Sequence, residues 1–289
     1  MGTVTSDFGV SGRESHDSSA FYSRFGDLPK SVPDLGPVVE CPRGITDQIY
    51  NRSSTDMIEL PPNCVSLMVT SPPYHCGKSY DTDTDFDEYL DMLDEVLREC
   101  YRVLQPGGRA AINLANLGRK PYIDLTTYVA ALCREIGYLP RGQLIWLKAD
   151  GAGSSTAFGS WLSASNPVLR DVHEYVLIYS KGQYGKAYKG ESTFTKEEFL
   201  QYTQSVWRIN PASAKKIGHP APFPVELPRR LIKLYTYRND LVLDPFMGSG
   251  QTALAAIETD RHFVGYDTDE TYCALANERI DTLRRGMKG

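Results

Sequence analysis

The chain has 289 residues, 41% hydrophobic and 11% aromatic, enough to bury the core of one large domain or two small ones. No apolar run approaches the roughly 18 to 20 residues of a membrane span and the start lacks the apolar stretch of a secretory signal, so an ordinary soluble protein is expected, with the cytoplasm as its compartment. The net charge of −5 is unevenly spread: residues 141–238 carry +7, against −8 before them and −4 after, as expected of a solvated basic face or of a phosphate-contacting region. The six cysteines are scattered without a C-x-x-C pair or a nearby histidine cluster, so neither a disulfide framework nor a metal site is expected.

Residues 1–44 are rich in Ser, Gly, Pro and Asp without apolar periodicity and read as a flexible arm. From Ile45 onward strand-like and helix-like stretches alternate. "CVSLMVT" (Cys64 to Thr70) is short, apolar and bounded by prolines, as a buried parallel strand would be. The next stretch places Tyr89, Leu90, Leu93, Val96, Leu97, Cys100, Tyr101 and Leu104 at helical spacing, with Pro106-Gly107-Gly108 as the expected stop. "RAAINLA" reads as a strand, about Ile123 to Ile136 as a helix, and "GQLIWLK" and "HEYVLIYS" as strands separated by a Gly/Ser-rich loop. The class is α/β with a mostly parallel sheet.

Near the C-terminus, "DLVLD" reads as a strand ending in Asp244, "GSG" as a turn, "QTALAAIET" as a helix and "HFVGYD" as a strand ending in Asp267. This βαβ unit, with Gly248, Gly250 and Ala253 at G-x-G-x-x-A spacing and an acid closing the second strand, points to an adenosine cofactor. The glycines admit the ligand to the backbone, and the carboxylate accepts from the ribose hydroxyls. A dinucleotide and S-adenosylmethionine then compete. Asp244 and Phe246 just before the turn suit a cationic ligand end better than a pyrophosphate, which prefers bare amides at a helix N-terminus.

"TSPPY" (Thr70 to Tyr74) sits at the carboxyl end of its strand, the edge where open α/β sheets place ligands. Pro72 pushes Ser71 to an extended conformation, and the paired prolines stiffen the loop while leaving carbonyl oxygens free to accept. An exocyclic amino group on a nucleobase needs such acceptors, because its lone pair is delocalised into the ring and must be localised before it attacks a methyl sulfonium. Tyr74 would stack on an extruded base, a task in which phenylalanine should serve nearly as well. The bland alternative is a proline turn with Tyr74 covering apolar surface.

Taken together, Thr70 to Tyr74 resembles motif IV, and Asp244 to Gly250 motif I, of the DNA amino-methyltransferases, and their order resembles the β-class of that family. "HPAPFPVELPRRLIKLYT" (His219 to Thr236) resembles motif X. The resemblance implies a three-layer Rossmann-like S-adenosylmethionine-dependent fold, permuted so that the catalytic half precedes the cofactor half, with residues 45–289 as the methyltransferase domain and target recognition around 150–207. It assigns Ser71, Pro72, Pro73 and Tyr74 to the target amine. Asp244, Phe246, Gly248, Gly250, Phe223 and Pro224 fall to the methionine and adenosine portions, and Asp267 to the ribose.

The implied partner is double-stranded DNA; a cognate restriction endonuclease and a second copy of the chain, as a homodimer, are further candidates, left open by the sequence. Candidate phosphate contacts are Arg170, Lys186, Lys189, Arg208, Lys215 and Lys216. Trp146 falls near the family's motif VIII aromatic or is simply core. The Ser-Pro-Pro-Tyr form resembles cytosine-N4 enzymes, with adenine N6 as the alternative target. A dinucleotide-dependent oxidoreductase remains the competing class.

Overall fold

The computed structural model describes residues 35–42, 44–74, 85–116, 121–148, 158–212 and 222–287. Strands β1 (Gln48–Asn51), β2 (Val65–Thr70), β3 (Leu104–Leu114), β4 (Tyr138–Lys148), β5 (His173–Lys181), β6 (Val206–Ile209), β7 (Leu241–Asp244) and β8 (His262–Asp267) form one sheet in the order β1-β8-β7-β2-β3-β5-β4-β6. Every neighbouring pair is parallel except the two made by β5, which runs against β3 and β4.

The period-two alternation of β2 divides the core. Met68 joins the layer containing helices α1 (Phe86–Val103) and α2 (Leu125–Ile136), while Leu67 and Val69 join the layer of α4 (Glu226–Tyr235), α5 (Gln251–Glu258) and α6 (Glu270–Met287). Helices therefore cover both faces, which is why β2 and β7 are buried along their whole length. A short helix, α3 (Lys196–Tyr202), precedes β6 and adds Tyr202 to the second layer.

Helix α1 starts on a capping box, with Glu88 N donating to Asp85 Oδ1 at 2.8 Å. Its buried stripe of Tyr89, Leu93, Val96, Leu97 and Cys100 is the expected one, but it ends at Val103. Pro106-Gly107-Gly108 does not stop the helix; it lies inside β3, which begins at Leu104. The glycines are needed there for close approach, since a Cβ on Gly107 would sit 1.9 Å from the Gly185 carbonyl oxygen. Helix α2 begins at Leu125, two residues later than its periodicity implies, and β4 begins at Tyr138. Among the described residues no helix is long and apolar enough to cross a membrane, and no His/Cys/Asp/Glu group could hold a metal ion.

Candidate active site

Strand order puts the two informative stretches side by side. β2 and β7 are neighbours, with Met68 paired to Leu243, so the loops after Thr70 and Asp244 leave the same edge of the sheet. Asp244 links them. Its Oδ1 accepts from Thr70 Oγ1 at 2.8 Å and Phe246 N at 3.1 Å, and its Oδ2 from Thr252 Oγ1 at 2.6 Å. It is 1% exposed and lies behind the cavity wall rather than on it, so it fastens β2 to the glycine turn.

Burial raises the Asp244 carboxyl to about 6 from 3.8, against the pull of these donors. A carboxyl that titrates higher folded than unfolded favours folding in its protonated form, so its contribution is full below about pH 4 and is lost as pH rises through about 6. Between these limits the wild type should lose about 3 kcal/mol of stability relative to Asp244→Asn. Denaturant midpoints for the two proteins at pH 4 and pH 7 check this; parallel changes would rule it out.

A first cavity of about 320 Å³ opens at this edge. Pro72, Phe246, Met92 and Val96 give it apolar walls, Gly248 and Asp267 a polar end, and Arg52, Asp269 and Tyr272 a rim. Asp267 Oδ2 accepts from Gly248 N at 2.7 Å and Oδ1 from Asp269 N at 2.9 Å, which holds the carboxylate at the turn; burial raises its proton affinity. An aromatic and apolar wall beside a fixed acid suits a ligand that combines a flat base with a diol. Gly250 is not in this wall. It has φ +82°, and a Cβ there would meet Ala276 Cβ at 3.0 Å, so it lets α6 pack against the turn.

A second cavity, about 220 Å³, shares Ser71 and Tyr74 with the first. Its other walls include Asn113 of β3, Glu174 of β5, Trp146 and Lys148 of β4, and Phe223. Asn113 Nδ2 donates to Glu174 Oε2 at 2.6 Å and to Tyr74 Oη at 3.1 Å. Tyr74 Oη donates to Glu174 Oε2 at 3.2 Å, and Lys148 Nζ lies 2.8 Å from Glu174 Oε1. Burial raises the Tyr74 phenol well above its ordinary value. Asn113, Glu174 and Lys148 carry no signal in the sequence, because they meet only through the β3–β5–β4 strand order.

The structure redistributes several expected site residues. Phe223 lines the second cavity rather than the first, with its carbonyl accepting from Gln251 Nε2 at 2.9 Å, and Pro224, also buried, lines neither. Trp146 is core and cavity wall at once: it is buried, and its Nε1 donates to Ile209 O at 2.9 Å. Lys186 is only partly exposed. It pairs with Asp240, which precedes β7, and so lies at the opposite edge of the sheet; Lys189 is exposed on the same segment.

Arg170 and Arg208 are both exposed, Arg170 with its guanidinium 4.7 Å over Phe158 and Arg208 on edge strand β6; Lys215 and Lys216 lie outside the described residues. Of the 14 Lys and Arg in residues 141–238, six are held by acids among the described residues. Lys148, Lys186, Arg229, Arg230, Lys233 and Arg238 all sit in ion pairs.

Comparison with known proteins bears on the same region. The family model described as DNA methylase (N6/N4 type) matches residues 65–278. The chain is 31% identical over 269 residues to the Type II methyltransferase M.MjaI of Methanocaldococcus jannaschii, covering 78% of this chain and 88% of that protein. The solved structure of TTHA0409 from Thermus thermophilus, complexed with S-adenosyl-L-methionine, superposes with a TM-score of 0.68 at 28% identity, over 82% of this chain and 93% of that one. The PvuII DNA methyltransferase (cytosine-N4-specific) shares the fold, with a TM-score of 0.62 at 20% identity over 82% of this chain and 90% of that one.

Proposed function

Since the chain belongs to the N6/N4 DNA methylase family, we propose that it methylates the exocyclic N4 of a cytosine turned out of duplex DNA. S-adenosylmethionine is the methyl donor. The observation that carries the reading is the pair of cavities meeting at Ser71 and Tyr74, one suited to an adenosine ligand and the other lined by hydrogen-bonding groups and Trp146.

In this reading Asp267 takes the ribose hydroxyls, and Phe246 and Gly248 line the path of the nucleoside. Ser71 Oγ and the Pro72 carbonyl accept from the two amine N–H bonds, which localises the nitrogen lone pair. Burial excludes water from the reacting pair. Pro73 stiffens the loop. Tyr74 and Trp146 flank the base. Asp244 and Gly250 act at one remove, by holding the turn.

The duplex approaches over the rim of the second cavity. The connection from β4 to β5 carries a small hairpin tied by Val168 N to Phe158 O and Ser160 N to Asn166 O, both at 2.9 Å. It exposes Trp161 and Leu162, 67% and 89% accessible. Arg170 on this hairpin and Arg208 on β6 are the described cations best placed for phosphates. The assignment to cytosine rests on the Ser71-Pro72-Pro73-Tyr74 form, and the Type II relatives support a protective role opposite a cognate endonuclease.

The test is incubation with labelled S-adenosylmethionine and unmethylated genomic DNA, followed by mass spectrometry of the digested nucleosides. N4-methylcytosine is the expected product. N6-methyladenine alone would move the target to adenine and keep the rest; no methylated nucleoside would overturn the proposal.

A further inference from the structure

We propose that Ser71, Tyr74 and Glu174 form a proton relay that fixes Ser71 as an acceptor toward the target amine and carries the amine's proton away. The proposal rests on the reading that Ser71 receives an exocyclic amine. It follows from counting donors and acceptors in the buried cluster.

Glu174 is ion-paired to Lys148 through Oε1, and its carboxylate oxygens can only accept. Asn113 must present its amide nitrogen to Oε2, because an amide oxygen 2.6 Å from a carboxylate would be repelled. Tyr74 Oη, 3.2 Å from the same oxygen, must donate its one proton there. The Ser71 Oγ to Tyr74 Oη contact at 3.0 Å is then a hydrogen bond only if Ser71 is the donor. With its own proton turned inward, Ser71 Oγ keeps its lone pairs for an incoming N–H. Asn113 Nδ2 has only two N–H bonds, and the shorter contacts to Glu174 and Tyr74 take both, so its 3.4 Å approach to Ser71 Oγ leaves the serine lone pairs free.

The same chain conducts. As the amine nitrogen bonds the methyl carbon, the carbon–sulfur bond breaks and its electron pair stays on sulfur, so the nitrogen becomes cationic. As that charge builds in the transition state, the nitrogen gives a proton to Ser71 Oγ, Ser71 gives its own to Tyr74 Oη, and Tyr74 gives its own to Glu174 Oε2. The amine loses one proton and Glu174 gains one. Glu174 and Lys148 side chains are 12% and 25% exposed, so this end of the chain reaches water, where the proton is discharged.

A purely stacking role for Tyr74 requires only the ring, whereas the relay requires its hydroxyl. Tyr74→Phe, Glu174→Gln and the double variant are therefore compared with wild type in single-turnover transfer of labelled methyl to unmethylated genomic DNA at saturating cofactor. Cofactor affinity by calorimetry serves as the folding control. Each single variant should be slower on the order of tenfold to a hundredfold with cofactor affinity unchanged. The double variant should be no slower than the slower single, and the solvent deuterium isotope effect of the wild type should vanish in Tyr74→Phe.

Full-rate Tyr74→Phe, or a double variant slowed by the product of the two singles, would overturn the relay while wild-type activity keeps the proposed function. A wild type that methylates nothing overturns both. If Glu174→Gln fails the folding control, Tyr74→Phe alone decides, since its ring preserves the packing.

Discussion

Replacing Ser71 with alanine is expected to slow methyl transfer by on the order of a hundredfold or more while leaving cofactor affinity unchanged. Ser71 lines both cavities, and the acceptor capacity of its hydroxyl counts most when the amine nitrogen gains positive charge. Its loss removes an interaction strengthened in the transition state, so the rate should fall far more than binding does. The cofactor-side contacts of Asp267 and Gly248 are untouched by the substitution. Single-turnover kinetics and calorimetry on one preparation check both halves. A variant within a few-fold of wild type would show that Ser71 does not hold the amine.

The largest expected loss of stability lies at the opposite edge of the sheet. Asp240 accepts from Ser66 Oγ at 2.5 Å, Tyr188 Oη at 2.5 Å, Tyr237 N at 2.8 Å and Lys186 Nζ at 3.3 Å. The Lys186 side chain is only 12% exposed, and burial pushes its ammonium below its ordinary value. Asp240→Ala removes the counter-ion of that ammonium, which keeps only Ser66 Oγ and the Tyr188 and Tyr237 rings, and takes the acceptor from three further donors; breaking a buried pair typically costs about 3 to 5 kcal/mol. Adding Lys186→Met should recover much of the loss, because replacing a buried ion pair by apolar groups is often close to neutral. Denaturant melts of the three proteins measure this. A double variant as unstable as Asp240→Ala would mean that the stranded ammonium is not the cause.

What could be read from the sequence was whatever its punctuation and apolar runs mark. β2, β7 and β8 are short apolar or β-branched stretches ended by Pro or Asp, and their adjacency follows once they share a sheet. β1 escaped because "QIYN" is a partly exposed edge strand with no apolar run. α3 and β6 are seven and four residues long, too short for periodicity, although Thr195-x-x-Glu198 is a capping box that the structure forms. Which cavity Phe223 lines could not be read, because a motif gives an order along the chain and not a side of the loop. The Asn113–Glu174–Lys148 cluster was illegible for a stronger reason. Its members stand on three strands, and only the reversed direction of β5 sets Glu174 opposite Trp146 and Val176 opposite Asn113.

The placement of β7 and β8 also governs how the sheet can be assembled. Met68 waits for Leu243 and Gln48 for Val264, partners separated by well over half the chain. Closing such spans costs entropy before any contact rewards it, and folding slows accordingly. During synthesis, β1 has no strand beside it and β2 has β3 on one side only until residues 241–267 have been made. Both are open edges for that interval, able to pair with other chains. Shortened chains lacking this segment should collect in aggregates, and the intact protein should regain its cofactor site only in the last phase of refolding, after the helices α1 and α2 have formed.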